Sequence, residues 1–309
     1  MLLTKKEAFD TFAAKHPLLV KKLIGWQRAS GNTERVAEVL VEEYVYDLVI
    51  RPKQLPGSQN ILLTDIKSWA SKLSWKERSI LTQFFNLEQP VRKYEELSNW
   101  YIGDYQVLAE TTLDTFTFDG SLIGVKTINK YGAEILNSDE MLIVDVDLVP
   151  SDTDKCSVIQ DKDLALKVLH YVAERDNLNF LVYLTAGGLR YIETTRPFDP
   201  TSKETKALLN QLYCDPLYVT LCSRQETFRA RLTPKPWRSS LVEALNSDFN
   251  NYYYKVDGSD NYDEAVCDYV FSVGTGKVDK RFKQLIDLHN SSTKALSSQR
   301  ILNCEYKLT

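Results

Sequence analysis

Near residue 100 the spacing of apolar residues changes from a helical period to a strand period, which excludes a fold built from helices alone or strands alone. Thr4 is placed to cap a helix carrying Ala8, Phe9, Phe12, Leu18, Leu19 and Leu23, with Pro17 as a break or restart. A second helix runs from Asn32 through Val36, Val39, Leu40, Tyr44 and Leu48. Pro52 to Asn60 reads as a loop, and Ser74-Trp-Lys-Glu77 is a capping box ahead of Ile80, Leu81, Phe84 and Phe85. Beyond Trp100, Leu113 to Lys126 reads as a hairpin turning at Asp119-Gly120. An apolar strand, Met141 to Val149, follows, then a polar loop from Pro150 to Lys155 and a helix from Lys162 to Arg175. Strands are expected at Phe180–Leu184, at Leu189–Thr195 after Gly187-Gly188, and at Leu217–Cys222, with a helix through Ala207, Leu208, Leu209 and Leu212 before the last of them. An exposed loop over Asn246 to Asp263, a helix near Asp279 to His289 and a strand near Arg300 to Tyr306 close the chain. This order predicts an α+β fold around a mixed or antiparallel sheet, not a doubly wound one. Residues 1–100 form a helical accessory region, 101–240 the α+β core, and 241–309 an extension packing on that core.

Two carboxylates interrupt the apolar strand. In Leu142-Ile-Val-Asp145-Val-Asp147 they stand at i and i+2, so they project from the same face. Carboxylates held that close resist joint ionisation unless a positive group lies between them, and a divalent metal of the Mg²⁺ or Mn²⁺ type is the usual solution. The alternative is a strand running out at a sheet edge, with Asp147 beginning a solvated loop. Thr185-Ala-Gly187-Gly188-Leu-Arg190 offers backbone able to approach a phosphate closely, and equally an ordinary hairpin turn. From Ser223 to Arg238 the cations Arg224, Arg229, Arg231, Lys235 and Arg238 face the single anion Glu226, a local charge of +4 (five minus one). Arg229 and Arg231 alternate on one strand face, where guanidinium forks grip phosphate, and Pro-Lys-Pro-Trp237 adds a stiff aromatic platform. Surface salt bridging to an acidic remainder is the other account of that stretch.

The chain's overall charge is −4, so it is no polycation, although the sum hides any local groove. No run of eighteen apolar residues exists and no apolar signal core follows the N-terminal lysines, which together point to the cytoplasm and away from the membrane. Five widely spaced cysteines without a Cys-x-x-Cys pair, and three scattered histidines, argue against structural zinc and against a disulfide framework. Gly274-Thr-Gly276-Lys277 is not a phosphate loop, because Phe271 stands where the first glycine is required.

Taken in order, the Asp-x-Asp strand, the glycine turn into a strand and the arginine strand before Pro-Lys resemble the catalytic core of the archaeo-eukaryotic primase superfamily over residues 110 to 240. Leu142-Ile-Val-Asp145-Val-Asp147 looks like its first motif. Thr185-Ala-Gly187-Gly188-Leu-Arg190-Tyr191 is similar to its second but has no histidine, a triphosphate contact that Arg190 would replace. Phe228-Arg229-Ala-Arg231-Leu-Thr-Pro-Lys235 stands where the third motif ends, and Cys222 falls where that family has its third carboxylate; Asp215 or Glu193 could replace it if the fold brings either to Asp145. The resemblance implies a metal-dependent nucleotidyltransferase acting on nucleoside triphosphates and nucleic acid. In it Asp145 and Asp147 hold Mg²⁺ or Mn²⁺, and Gly187, Gly188, Arg190, Arg229, Arg231 and Lys235 bind phosphates. It also implies a partner protein or a simpler priming mode, since no zinc insert is visible. Two other readings stay open: a catalytically degenerate protein of that fold binding nucleic acid or nucleotide, and a metal-dependent phosphohydrolase on another α+β scaffold.

Overall fold

Thr4 begins the first helix as expected: its hydroxyl accepts from the Glu7 N–H while the Glu7 carboxylate accepts from the Thr4 N–H at 2.9 Å. The computed structural model describes residues 4–51, 72–74, 76–77, 80–81, 108, 110–129, 133–148, 161–185, 187–233 and 266–296. Two compact units divide the chain, Met1–Leu113 and Asp114–Thr309. In the first, α1 (Lys5–Lys15) ends before Pro17, which opens α2 (Pro17–Ala29); α3 (Glu34–Val45) runs on into a π-helical turn, Tyr46–Ile50. Leu19, Leu23, Val41 and Val45 from these helices are fully buried, each worth about 1.5–3 kcal/mol relative to exposure. The Ser74–Glu77 capping box is present, with the Ser74 N–H donating to Glu77 at 2.7 Å. Buried Glu77 also accepts from Gln27 of α2, so this cap doubles as a tether inside the unit.

The second unit is α+β, with two four-stranded sheets. One has the order β1 (Thr111–Phe118), β2 (Ser121–Ile128), β3 (Glu134–Ser138), β7 (Phe228–Arg231). The other has the order β4 (Ile143–Asp147), β6 (Gly188–Glu193), β5 (Asn179–Thr185), β8 (Cys267–Gly274). The pairings β2–β3, β3–β7, β4–β6, β5–β6 and β5–β8 are all antiparallel. Asp119 (φ 48°) and Gly120 (φ 76°) both adopt positive φ between β1 and β2, the type I′ geometry whose twist matches a hairpin. The C-terminal segment supplies the fourth strand of the second sheet, β8, together with a short 3₁₀ turn, Lys280–Phe282, and the closing helix α7 (Lys283–Ser292).

Register divides the second sheet into two faces. Ile143, Asp145 and Asp147 of β4 share one face with Ile192, Arg190 and Gly188 of β6 and with Leu181, Tyr183 and Thr185 of β5. Val144, Tyr191 and Val182 line the other, where α4 (Lys162–Asp176) stacks the His170 ring on Phe271 of β8 at 6.3 Å. α7 lies against the first face: the His289 ring meets that of Tyr183 edge-on, with centroids 4.7 Å apart. A continuous core of Ile143, Leu169, Phe180, Leu209, Phe228 and Leu285 joins both sheets and the helices.

The expected strand Leu217–Cys222 is instead the interior of a helix. After α5 (Lys203–Gln211), Asp215 caps α6 (Pro216–Gln225), its carboxylate accepting from the N–H groups of Leu217 at 3.1 Å and Tyr218 at 3.2 Å. Pro216 at the first helical position has no N–H to leave unsatisfied, and Glu226 ends the helix in the left-handed region. Cap and proline together override the strand preference of Tyr-Val-Thr. Pro52 to Asn60, Phe84 and Phe85, Pro150 to Lys155, Asn246 to Asp263 and Arg300 to Tyr306 lie outside the described residues.

Candidate functional site

Strand β4 is an edge of its sheet, and it carries both carboxylates out on one face: Asp145 is half-buried and Asp147 exposed. The edge is not left open at Asp145, whose carbonyl accepts from the Asp215 N–H at 2.8 Å, so the start of α6 is fastened beside the carboxylate. The Asp145 side chain makes no hydrogen bond or ion pair among the described residues.

Gly187 and Gly188 form the β5–β6 hairpin, and the turn is pressed against β4. A Cβ on Gly188 (φ 157°) would lie 2.0 Å from the Val146 carbonyl oxygen, so only glycine lets β6 reach its register there. The Gly187 carbonyl accepts from the Leu148 N–H at 2.9 Å, and a Cβ on Gly187 would lie 3.6 Å from Asp147 Oδ1. The glycine turn and the carboxylates therefore occupy the same end of the sheet.

Strand β7 is the edge of the other sheet and carries Arg229 and Arg231, both half-buried. Its free edge is closed by side chains. The Tyr218 hydroxyl accepts from the Arg229 N–H at 3.0 Å and donates to the Arg229 carbonyl at 3.1 Å, standing in for a neighbouring strand. Arg190 of β6 donates from Nη1 to the Arg231 carbonyl at 3.2 Å. The Arg229 guanidinium donates to Gln225 Oε1 at 3.3 Å. β7 packs beside β4, and Cys222 of α6 is buried nearby: burial pushes its thiol up to about 12 against the opposing pull of the Tyr218 hydroxyl and Arg229. A thiol so buried is a packing group rather than a nucleophile.

Arg190 sits differently from the other cations. It is the cross-strand neighbour of Asp145, yet it is only 7 % exposed. Its Nη1 also lies 3.2 Å from His289 Nε2. His289 is fully buried, and burial together with the adjacent guanidinium lowers its pKa to about 3, so it is a neutral acceptor. Its Nδ1 faces Asn290 Oδ1 at 3.3 Å, which also receives the Tyr183 hydroxyl at 2.8 Å. Tyr183, Asn290, His289, Arg190 and the Arg231 carbonyl thus form one chain, buried at its centre, linking β5, α7, β6 and β7. Sequence reasoning missed Tyr218, His289 and Asn290. Tyr218 lay in a stretch read as strand, and nothing in the spacing of His289 relates it to Arg190, 99 residues away.

The candidate replacements for a third carboxylate separate cleanly. Glu193 is on the opposite face of β6 from Arg190 and Asp145, and its buried carboxylate accepts from the N–H groups of Thr195 at 2.8 Å and Arg196 at 3.4 Å. Burial moves its pKa up. Asp215 is adjacent to Asp145 through the backbone, but its carboxylate is engaged in capping α6. Among the described residues no group of three or more His, Cys, Asp or Glu side chains is placed to hold a metal ion. Lys235 lies outside the described residues. Comparison with protein-family models, with curated proteins and with solved structures found no match.

Proposed function

We propose that the unit from residue 114 onward is a metal-dependent nucleotidyltransferase of primase-polymerase type, acting on nucleoside triphosphates and nucleic acid. The observation that carries this reading is the placement of Asp145 and Asp147 on one face of the β4 edge, with the β7 edge that bears Arg229 and Arg231 packed beside β4. The donor set suits Mg²⁺ or Mn²⁺ brought in by its substrate. Mg²⁺ keeps several waters and is commonly held by one or two carboxylates plus phosphate oxygens, so two aspartates need no third protein ligand to accept it. Bound there, the ion would supply charge neutralisation at the phosphates. Asp145 and Asp147 would orient it, and Arg229, Arg231 and Lys235 would meet the phosphate oxygens through guanidinium forks and a point charge. The glycine turn at Gly187 and Gly188 brings backbone, and no side chain of its own, up to Asp147.

A second reading, a catalytically degenerate binder of nucleic acid or nucleotide, is favoured by one specific observation: Glu193 lies on the opposite face of β6 from Asp145 and the Asp215 carboxylate caps α6. Labelled-nucleotide incorporation on a primed and an unprimed template, with Mg²⁺ and with Mn²⁺, separates the readings. Incorporation by the wild type that falls by about 100-fold or more in Asp145→Asn supports the transferase, the scale expected when a group stabilising transition-state charge is removed. Full activity in Asp145→Ala rejects the two-carboxylate mechanism. Salt-sensitive binding without turnover supports the degenerate binder, and metal-dependent phosphate release without polymer supports a phosphohydrolase.

A further inference from the structure

We propose that Arg190 and His289 are a positioning pair that fixes the arginine strand β7 against the sheet bearing the carboxylates, so that the phosphate affinity of Arg229 and Arg231 depends on two side chains that never touch the ligand. The inference rests on the phosphate-binding role given above to Arg229 and Arg231, and it assigns Arg190 a place inside the fold instead of a contact with substrate. β7 packs against β4 of the other sheet here, and an edge strand of four residues has little pairing of its own to fix it. On its outer side, Arg229 is held by the Tyr218 hydroxyl and Arg231 by the Arg190 guanidinium. The second tie crosses directly from β6, the strand paired with Asp145.

An arginine this buried costs stability relative to an apolar side chain of similar volume, and its retention makes sense where it specifies one arrangement. The geometry specifies one. Nη1 meets two acceptors, the Arg231 carbonyl and His289 Nε2, each at 3.2 Å. His289 can accept only while its proton is on Nδ1, and Asn290 Oδ1 holds the proton there. Cys267 Sγ, 4.0 Å from His289 Nε2, and the Tyr183 ring close the remaining sides of the imidazole. No carboxylate pairs with Arg190 within the described residues; Asp145 is its cross-strand neighbour, and a ligand-loaded Asp145 leaves the guanidinium fastened by the two acceptors.

The test uses the full chain with His289→Phe, which removes the acceptor, and His289→Gln, whose amide oxygen can restore it. Arg190→Lys, which keeps the charge and loses the fork, provides the same reading should His289→Phe fail to fold. Two quantities are measured on folded protein: hydrogen exchange of the β7 amides, and affinity for inorganic tripolyphosphate without metal. The expected result is β7 exchange about tenfold faster and tripolyphosphate binding about tenfold weaker in His289→Phe, with both restored in His289→Gln; tenfold corresponds to about 1.4 kcal/mol. Unchanged β7 exchange overturns the pair as a brace. Faster exchange with unchanged affinity reduces it to a purely structural contact and overturns the positioning role. A wild type that binds no tripolyphosphate also overturns it. Wild-type incorporation of nucleotides alongside unaltered affinity in His289→Phe rejects this inference and leaves the transferase standing. Weakened tripolyphosphate binding without nucleotide incorporation in any protein does the reverse.

Discussion

At His289 burial and the Arg190 guanidinium, 3.2 Å away, oppose a second proton and outweigh Asn290 Oδ1, whose acceptor at Nδ1 favours one. With the folded pKa near 3 against an ordinary 6.5, the unfolded chain binds a proton at this residue before the folded one does. The contribution of neutral His289 is therefore complete above pH 6.5 and is lost progressively as pH falls toward 3. Its slope approaches about 1.4 kcal/mol per pH unit in that window. Glu193, whose pKa is raised by burial, works in the opposite direction in acid, so the readout is the difference between the wild type and a variant at His289 that keeps Glu193. The expected outcome is that denaturant unfolding between pH 7 and pH 4.5 shows a steeper loss in the wild type than in His289→Gln, which has nothing to protonate. Parallel profiles would remove His289 as the acid-sensitive group. Nothing in the sequence marks this residue. A lone histidine near a C-terminal helix gives no sign of the arginine it will meet, and an arginine inside Leu189-Arg-Tyr-Ile reads as a surface charge until its two acceptors, 41 and 99 residues distant, are known.

Helix α6 shows how a whole element can be misread from a propensity that is locally correct. Tyr218-Val-Thr favours a strand, but the decision lies upstream, where Asp215 satisfies two N–H groups and Pro216 presets the first turn. Replacing Asp215 with Ala should cost about 1 kcal/mol of unfolding free energy by chemical denaturation, the usual scale for a lost side-chain cap, whereas Asp215→Asn should cost less. Stability unaltered in Asp215→Ala would mean the helix is held by packing of Val219 and Cys222 alone. The other elements divide by how openly they show their burial. β5 is legible because it is a near-continuous apolar run, and β4 and β6 because apolar residues surround the few charged ones they carry. β3 escaped because its core positions include polar residues: Asn137 is fully buried, its amide donating to Thr127 Oγ1 at 2.8 Å, and Ser138 donates to the Ile123 carbonyl at 2.7 Å. Polar side chains buried in this way erase the alternation that marks a strand in the sequence. β8 escaped for another reason, since its partner β5 lies some ninety residues earlier and pairs with it through a register shift at Val182/Tyr183.

Over the whole molecule the charge distribution sets a prediction that no single residue carries. The chain is net −4, so its long-range field opposes a polyanion, while the stretch from Arg224 to Arg238 carries five cations against one anion. Nucleic acid would therefore be held by short-range phosphate contacts at this stretch and not by a diffuse attraction. Counterion release converts the number of such contacts into a slope of log affinity against log salt, about −0.7 per phosphate on a single strand. Three contacts, from Arg224, Arg229 and Arg231, give a slope of about −2, and adding Lys235 and Arg238 gives about −3.5. Measured by fluorescence anisotropy on single-stranded DNA and RNA from about 50 to about 300 mM salt, the wild type should fall between those limits. Arg229→Glu with Arg231→Glu should flatten the slope by about 1.4, two contacts' worth, and leave its sign unchanged. A slope near zero would place recognition on bases or on no nucleic acid at all, and an unaltered slope in the double variant would move the phosphate contacts away from β7. Either result would also separate the arginines from the carboxylates of β4, because a site that handles phosphate at Asp145 and Asp147 needs its cations on the strand that lies beside them.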